Sequence, residues 1–369
     1  MEMKKYKICH LTSVHPEADT RIFIKECRSL RDFGWDVHYI VPGVESKKID
    51  GVHIHGIPKE NSRMKRMFLT SNKVYKASLS LDADIYHFHD PELIPIGMKL
   101  KKLGKCVIYD IHEDLPRALL SKEWIPSPFR QPLASMVEFY ENYAAKKFDY
   151  LVGATPFITK RFKKINNNTA NINNYPLLNE LNRSKTNEEI PKKSQLCYVG
   201  VLGIERGMNQ LLEAANLIKG TIHIAGKINS KEKTQQIETH KNIKYLGVLN
   251  RLEVKELLTS SIAGIVTFLP EPNHINAQPN KMFEYMSAGI PVICSDFPLW
   301  KSIIEKHNCG ICVDPKKPSE IASAINYLLD NPDIAEIMGK NGRNAVENEY
   351  NWEQESEKLN KVYSKLISS

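Results

Sequence analysis

The segment from 276 to 296 combines residue types and spacing that would bind an anion. It has the pattern of a polar loop, a short helix, a stop and a buried strand. Pro279 suits the first position of a helix, and Gly289 suits the left-handed residue that ends one. A helix N-terminus attracts anions, and Lys281 adds a positive charge in the first turn. Glu284 lies in an apolar stretch and needs a partner, either ligand hydroxyls or, in a plain amphipathic helix, Lys281.

A second segment, 198–207, has the composition of a phosphate-binding turn. It follows a predicted strand and contains Gly200, Gly203 and Arg206 before a helix starts. Glycines let the backbone approach a ligand closely, and an arginine binds a diphosphate through two parallel hydrogen bonds. An ordinary strand–turn–helix connection with an exposed arginine fits the same residues equally well.

Histidines and carboxylates follow two predicted strands of the first half, in the segments 86–91 and 109–116. Because the carboxyl ends of parallel strands meet at one edge of a sheet, these side chains face the expected ligand site. They are candidates for general acid–base groups or for hydrogen bonds to sugar hydroxyls. Metal ligation is less favoured, since HxH followed by HE matches no strong metal spacing. The residues concerned are His87, His89, Asp90, His112 and Glu113.

The connection between the first strand and the first helix, 11–21, carries His15, Asp19 and Arg21. It lacks a GxGxxG pattern, which disfavours a dinucleotide cofactor. Arg21 in the first turn of a helix opposes the helix dipole, so we expect it to contact an acceptor or phosphate, or to pair with Asp19. Asp90 also suits a helix N-cap.

Alternation of strand-like and helix-like segments in both halves predicts the fold class: α/β, with two doubly wound parallel sheets. Ligands of such sheets bind beyond the carboxyl ends of the strands, so two facing domains would hold the site in a cleft. Residues 115–130, with three prolines, are predicted to be an irregular loop, and 175–194 an interdomain linker. The predicted domains are therefore 1–174 and 195–350. Strands are predicted at 7–12, 36–41, 53–57, 84–88, 106–110, 150–153, 169–173, 195–199, 221–225, 243–246, 262–268, 291–294 and 309–313. Helices are predicted at 19–33, 62–80, 91–103, 131–147, 156–164, 207–218, 230–240, 251–259, 279–288, 298–306, 318–330, 333–348 and 352–367.

Composition is that of an ordinary globular chain. It has 369 residues, 42% apolar and 25% charged, which suggests two domains. No apolar run approaches the ~20 residues of a membrane span, and the apolar N-terminal stretch is too short for a signal peptide, so we expect a cytoplasmic protein. Residues 1–174 carry 28 Lys/Arg against 20 Asp/Glu, whereas 175–369 carry 23 of each. This asymmetry fits a basic face toward an anionic membrane or phosphate-bearing acceptor, or simply a solvated surface.

Taken together, the HFHDPEL, DIHEDLP, GVLGIERG and QPNKMFEYMSAGIPVICSD segments resemble a bacterial glycosyltransferase of family 4, of the group 1 type. The resemblance covers nearly the whole chain. It implies the GT-B fold, in which two facing Rossmann-like domains bind a nucleotide-sugar mainly through the second. The two closing helices match the family's tail, which implies that 352–369 crosses back over the first domain.

The resemblance also assigns residue roles. The family has two glutamates separated by seven residues; Glu284 matches the second, which binds ribose hydroxyls, and Asn276 replaces the first. Arg206 matches a phosphate-binding lysine, Val201 stands where the family has an arginine, and Lys281 supplies the missing charge. His112 matches the histidine that contacts the transferred sugar. Gly200, Gly203 and Asn280 are expected on the donor side, and His15, Arg21, His89, Asp90 and Glu113 on the acceptor side.

The implied reaction is retaining transfer from a nucleoside diphosphate sugar to a glycan or lipid-linked acceptor in surface polysaccharide assembly. No metal or cofactor is expected, because Arg206, Lys281 and the helix N-terminus would stabilise the departing diphosphate, whose phosphate would take the acceptor proton. No nucleic-acid partner is expected. The stretch 59–69, with cations interleaved with Met, Phe and Leu, suits peripheral contact with an anionic membrane.

Two alternatives remain within the same fold. A sugar-nucleotide epimerase would convert or hydrolyse the donor without an acceptor. A non-catalytic partner subunit would fit the departures at Asn276 and Val201.

Overall fold

The computed structural model describes residues 6–60, 62, 65–122, 124–181, 194–228 and 231–368. The chain forms two compact units: Met1–Asn174 with Glu353–Ser369 makes the first, and Tyr175–Trp352 makes the second. Each unit is built on a parallel sheet whose strands alternate with helices along the chain, so the predicted α/β class is confirmed.

The sheet of the first unit has eight strands in the order β3-β4-β2-β1-β5-β6-β7-β8. All neighbours are parallel except β3, which pairs antiparallel with β4 at the edge and was not predicted. The inner strands are nearly continuous runs of buried apolar residues, as in a sheet covered on both faces, whereas β3 carries two exposed lysines that protect the edge. The strands are β1 Lys7–Leu11, β2 Asp36–Pro42, β3 Lys47–Ile49, β4 Val52–Ile57, β5 Ile85–Phe88, β6 Cys106–Ile111, β7 Tyr150–Gly153 and β8 Thr169–Asn171.

The helices of the first unit connect these strands, and the last helix of the chain joins them. Three of them begin with a segment of different pitch: a π-helical segment in α1 and in α2, and a 3₁₀ turn in α3. They are α1 Thr20–Cys27 with Arg28–Asp32, α2 Arg66–Thr70 with Ser71–Leu81, α3 Pro91–Leu93 with Ile94–Lys102, α4 Leu115–Leu120, α5 Ser127–Ala145 and α6 Pro156–Lys163. The last helix, Trp352–Ser368 (α14 below), contributes Tyr363 to this unit.

The irregular loop predicted for 115–130 is wrong, because α4 and the start of α5 lie there. Pro116 and Pro128 occupy the first turns of these helices, where a missing N–H breaks no intrahelical hydrogen bond. Prolines that mark helix starts were thus misread as helix breakers.

The sheet of the second unit has six strands, all parallel, in the order β11-β10-β9-β12-β13-β14. The order reverses between β9 and β12, and the sheet of the first unit reverses in the same way between β1 and β5. Such reversals open a crevice at the carboxyl ends of the two strands, where ligands of open α/β sheets bind. The strands are β9 Gln195–Val199, β10 Thr221–Ala225, β11 Ile243–Tyr245, β12 Gly264–Val266, β13 Val292–Ser295 and β14 Gly310–Val313.

The helices of the second unit follow their predicted positions closely. They are α7 Met208–Ala215, α8 Lys231–Glu238, α9 Arg251–Thr259, α10 Asn280–Ser287, α11 Pro298–His307, α12 Pro318–Asp330 and α13 Pro332–Asn348. A 3₁₀ turn at Ile204–Arg206 precedes α7. The first-unit helix α14, Trp352–Ser368, follows α13.

Most of the predicted linker 175–194 lies outside the described residues. Its described part packs into the second unit: Leu181 is fully buried, and the Tyr175 ring lies 4.7 Å from that of Phe283 between centroids. Within the described parts of the chain, no helix is long and apolar enough to cross a membrane.

Candidate functional site

Helix α10 starts at the crevice of the second unit. Pro279 is its N-cap rather than its first residue as predicted, so the helix begins one residue later, at Asn280, and no side chain caps the first turn. The loop before it is held by the indole of Trp300, which donates to the Ala277 carbonyl at 2.7 Å. Gly289 has φ +72° and ends the helix as predicted, with the Ile290 N–H bonded to the Tyr285 carbonyl. The Met282 N–H donates to the Pro279 carbonyl at 3.0 Å, so the N–H groups that precede it in the first turn, those of Asn280 and Lys281, are the ones available to an anion.

Lys281 in that first turn is a buried cation. It is 8% exposed, and its Nζ has no hydrogen-bond partner in the described structure. The ammonium lies 3.7 Å from the ring centroid of Tyr198 and 5.3 Å from that of Phe268. Burial lowers the pKa of Lys281 well below its usual value, and the charge of Arg206 lowers it further. A buried ammonium without a counterion is costly, so this position favours an anionic ligand.

The turn after β9 places Arg206 beside Lys281. The Arg206 guanidinium lies 5.3 Å from the Phe268 centroid, so both cations stand on the same ring, and its Nη1 donates to the Val201 carbonyl at 3.2 Å. Gly200 has φ +114°, and a Cβ there would lie 3.3 Å from the Lys281 Nζ. Gly200 thus keeps open the space in front of the ammonium.

Gly203 has extended backbone, φ −141°, which any residue adopts. The glycine that the turn requires is Gly207, with φ +77° and a would-be Cβ only 2.1 Å from the Thr267 carbonyl oxygen. The predicted turn therefore exists, but its second essential glycine is at 207.

Glu284 pairs with Arg251 rather than with Lys281. The Arg251 Nη1 donates to the Glu284 carboxylate at 2.9 Å, and its Nε donates to Glu180 at 2.7 Å. Arg251 was missed from the sequence, although an arginine in the first turn of a helix, opposing the dipole as Arg21 does, was a usable signal. Of the remaining donor-side candidates, Asn280 is the exposed first residue of α10 and Asn276 is partly buried in the preceding loop.

In the first unit, His15 joins two carboxylates beyond the end of β1. Its Nδ1 lies 2.9 Å from Asp19 Oδ2 and its Nε2 lies 3.3 Å from Asp90 Oδ1. Burial disfavours the imidazolium, but the hydrogen bonds to Asp19 and Asp90 outweigh it and raise the pKa of His15 to about 10. Burial likewise opposes the two carboxylates, yet His15 holds the pKa of each at about 2. The result is a charged triad at neutral pH.

Asp90 does not cap helix α3 with its side chain, contrary to one reading of the sequence. Its Oδ2 instead accepts from the Thr12 hydroxyl and from the Ser13 N–H, both at 2.7 Å. These bonds join the ends of β1 and β5 at the point where the strand order reverses.

Arg21 is not on the acceptor side, and its predicted pairing with Asp19 is also wrong. It is 4% exposed, and its guanidinium donates two hydrogen bonds to Asp110, at 2.9 and 2.8 Å, and one to the Ile172 carbonyl at 3.1 Å. The buried carboxylate of Glu26 lies 3.1 Å from its Nε. Asp19 instead accepts from the backbone N–H of Arg21 as the N-cap of α1. Arg21 therefore holds β6 to α1 and β8.

A chain of hydrogen-bonding side chains leads inward from His112. The His112 Nε2 lies 2.8 Å from Asp110 Oδ2, which lies 3.1 Å from His89 Nδ1. The His89 Nε2 is 2.9 Å from His10 Nδ1, and the Tyr363 hydroxyl is 3.2 Å from the other nitrogen of that ring. Burial lowers the pKa of His89 to about 4 against the opposing charge of Asp110, so its ring is neutral. His89 orients its neighbours, while His112, partly exposed, and Glu113, exposed, remain available to a ligand.

Among the residues that the structure describes, two groups of side chains are close enough to share a metal ion. In each group one ligand atom per residue lies within 4.8 Å of the others: His10, Glu26, His87 and His89 in one, and His89, Asp110 and His112 in the other. The first group is fully buried, and burial raises the pKa of Glu26 well above its usual value. The expectation that no metal is required stays a prediction.

A large cavity of about 790 Å³ opens beside these residues. His15, His89, Asp90, His112 and Glu113 line it, together with apolar side chains of α2, α3 and α5. It brings together four of the five predicted acceptor-side residues and the predicted sugar-contacting His112, and excludes Arg21.

Comparison with known proteins identifies the family. Residues 21–172 match the model of Glycosyltransferase Family 4, and residues 180–345 match the model of glycosyl transferases group 1. The chain belongs to the group 1 glycosyltransferases. Among its relatives, an uncharacterized glycosyltransferase of Methanocaldococcus jannaschii is 26% identical over 179 residues, which are 46% of this chain and 45% of the relative. This glycosyltransferase thus spans about half the length of the curated relatives it matches.

Solved structures show that the fold is GT-B. Sucrose-phosphate synthase from Thermosynechococcus elongatus superposes with a TM-score of 0.80 at 17% identity, over 99% of this glycosyltransferase and 100% of that chain. HepE from Anabaena, in complex with UDP and glucose, gives a TM-score of 0.74 at 14% identity, over 98% and 100% of the two chains.

Proposed function

We propose that this glycosyltransferase transfers a sugar from a nucleoside diphosphate sugar to a hydroxyl acceptor with retention of configuration. The observation that carries the proposal is the buried Lys281 ammonium, which has no hydrogen-bond partner in the described structure and stands beside Arg206 at the N-terminus of α10. Two cations and a free helix N-terminus match the two phosphates of such a donor. The structures of HepE with UDP and with UDP-glucose support the same ligand class.

Each residue then has a chemical role. The acceptor oxygen bonds to the anomeric carbon on the face that the leaving group vacates. The carbon–oxygen bond to the diphosphate breaks with its electron pair, and a phosphate oxygen takes the acceptor proton. Arg206, Lys281 and the α10 N–H groups stabilise the charge that develops on the diphosphate. Glu284, oriented by Arg251, accepts hydrogen bonds from the ribose hydroxyls, and His112 contacts the transferred sugar.

The acceptor is proposed to be a glycan or lipid-linked sugar of surface polysaccharide assembly, bound by His15, Asp90, His112 and Glu113. The basic stretch 59–69 is proposed to contact an anionic membrane. Within it Arg63 lies outside the described residues, Lys65 is exposed, and Arg66 donates to Glu92 at 3.1 and 3.3 Å. Lys59 and Lys65, both exposed, are therefore better placed for a membrane contact than Arg66.

A thermal-shift screen against UDP-, GDP-, ADP- and TDP-sugars tests the donor, because a ligand that binds the folded state raises its melting temperature. We then expect Glu284→Ala to weaken the binding of the selected donor by about 10–100-fold, as for lost hydrogen bonds to a charged group. Arg206→Ala should abolish turnover, and Glu305→Ala on the exposed face of α11 is the matched control.

The outcomes separate the alternatives. Donor consumption that requires an acceptor supports transfer, whereas conversion of the donor alone would indicate an epimerase. Donor binding without any turnover would leave a non-catalytic subunit, and undiminished donor binding by Glu284→Ala would refute the assignment of the ribose site.

Proton uptake on donor binding is a further expected result. The pKa of Lys281 is lowered in the free protein, and a bound diphosphate restores the charged form, so binding takes up a proton at a pH between the two pKa values. At mildly alkaline pH, calorimetry with a nucleotide-sugar in buffers of different ionisation enthalpy should show an uptake approaching one proton. The uptake should vanish in Lys281→Met, and equal uptake by both proteins would contradict the prediction.

A further inference from the structure

The solvent-exposed face of α5 carries no charge. Its exposed side chains are all uncharged, and among them are Phe139, 76% exposed, Phe129, 65%, Met136, 63%, and Tyr143, 52%. The three charged residues of this helix are engaged elsewhere: Arg130 donates to the Ile125 carbonyl, and Glu138 and Glu141 pair with Arg161. An exposed helical face of this composition marks an interaction surface.

A second apolar strip begins helix α2. Phe68 is 69% exposed, Leu69 47% and Met67 44%. Met67 and Phe68 line the 790 Å³ cavity from one side, and Tyr140 of α5 lines it from another. The strip of α2 therefore lines the cavity directly, and the exposed Tyr140 connects the uncharged face of α5 to the same cavity. Its other lining residues include His15 and His112.

Exposed cations accompany both strips. Lys122 precedes α5, Lys146 and Lys147 follow it, and Lys65 precedes the strip of α2. The Lys147 ammonium lies 5.8 Å from the Tyr143 ring centroid. Aromatic side chains bordered by lysines are the composition of surfaces that insert into the interface of an anionic bilayer. This charge complementarity favours a lipid surface over a second copy of a chain that is itself basic.

We infer that the apolar strips of α2 and α5 dock the first unit on an anionic bilayer, and that the cavity receives the hydrocarbon chain of a lipid-linked acceptor. The chain would enter between the strips, and its head group would lie near His15 and His112. The volume of the cavity is that of a small-molecule site. The docking stands on the surface alone, whereas the acceptor class rests on the proposed function.

Sedimentation with vesicles tests the docking. We expect the full chain to bind phosphatidylcholine vesicles that contain phosphatidylglycerol. The triple variant Phe129→Ser/Met136→Ser/Phe139→Ser should bind these vesicles at least tenfold less. The matched control removes three exposed apolar residues of the second unit, Leu252→Ser/Val248→Ser/Ile337→Ser, and should bind as the parent does. Equal binding by both variants, or none by the parent, would overturn the docking. A dimer that only the first variant dissociates, without vesicle binding, would show that a second copy covers this face.

The cavity is tested with decyl phosphate as the probe. It should raise the melting temperature of the parent, and the shift should disappear in Asn72→Trp, which fills the cavity from an exposed position. An equal shift in the variant would exclude the cavity as the chain site. Nucleotide-sugar binding should be the same in the parent and in all these variants. If neither the parent nor any variant bound a nucleotide-sugar, the proposed donor site would be refuted, and the docking result would be unaffected.

Discussion

Lys281→Met will slow sugar transfer and at the same time stabilise the second unit. The ammonium is buried and has no hydrogen-bond partner in the described structure, so its removal should gain about 1–3 kcal/mol of unfolding free energy. Loss of a group that stabilises the leaving diphosphate should lower kcat by about 10²–10³-fold. Methionine keeps the length and packing of the stem, so the two effects arise from the charge.

The stability gain has a defined pH dependence. Because the folded state lowers the pKa of Lys281, it binds fewer protons there than the unfolded state does. The destabilisation by lysine is therefore absent above the normal pKa of about 10.4 and grows as the pH falls toward the lowered value. Urea unfolding of both proteins at several pH values should show a gap that widens in this direction.

Lys301→Met is the control, since Lys301 is exposed and its contact with Glu305, at 3.7 Å, lies at the surface. It should change neither unfolding nor turnover appreciably. A destabilised Lys281→Met protein would contradict our account, because it would show that the ammonium is already paired in the free protein.

Arg21→Met will destabilise the first unit by about 3–5 kcal/mol, the effect typical of breaking a buried ion pair. The substitution leaves the Asp110 carboxylate, fully buried, with two hydrogen bonds fewer, and removes the positive charge beside Glu26. Burial raises the pKa of Asp110, but the charge of Arg21 more than offsets it and keeps that pKa well below its usual range. The variant should therefore unfold at a lower urea concentration than the parent protein. Nucleotide-sugar binding by the second unit should persist.

Arg28→Met is the matched control for this prediction. Arg28 lies in the same helix and pairs with Asp50 at an exposed site, where ion pairs contribute about 0–1 kcal/mol. Equal losses from the two substitutions would show that the Arg21–Asp110 pair is no more important than a surface one, and that Arg21 is free for the acceptor.

Local patterns predicted the fold well because both sheets are parallel. Buried strands produce short apolar runs and their crossover helices produce amphipathic ones, so α9 and α12 were placed at their observed bounds. The edge strand β3 was missed because its three residues contact one neighbour and carry no apolar run. Helix α4 was missed because a proline at a helix start resembles one that breaks a helix.

Pairings distant in sequence could not be predicted in the same way. The partner of Arg21, Asp110, is 89 residues away, and that of Glu284, Arg251, is 33 residues away. No local periodicity carries such pairings. The glycine-rich turn and the first turn of α10 were found because their backbone requirements are written in neighbouring residues, whereas the shared ring of Phe268 under both cations appears only in the folded structure.

The hydrogen bonds from Tyr363 to His10 and His87 have a consequence for protein synthesis. Domains generally fold as the chain leaves the ribosome, with N-terminal segments first. In this protein the first unit lacks its closing helix until Glu353–Ser369 has been made, whereas all of Tyr175–Trp352 precedes that helix. The second unit can therefore finish folding on the ribosome before the first. His10 and His87 therefore lack their Tyr363 partner until this helix has been made.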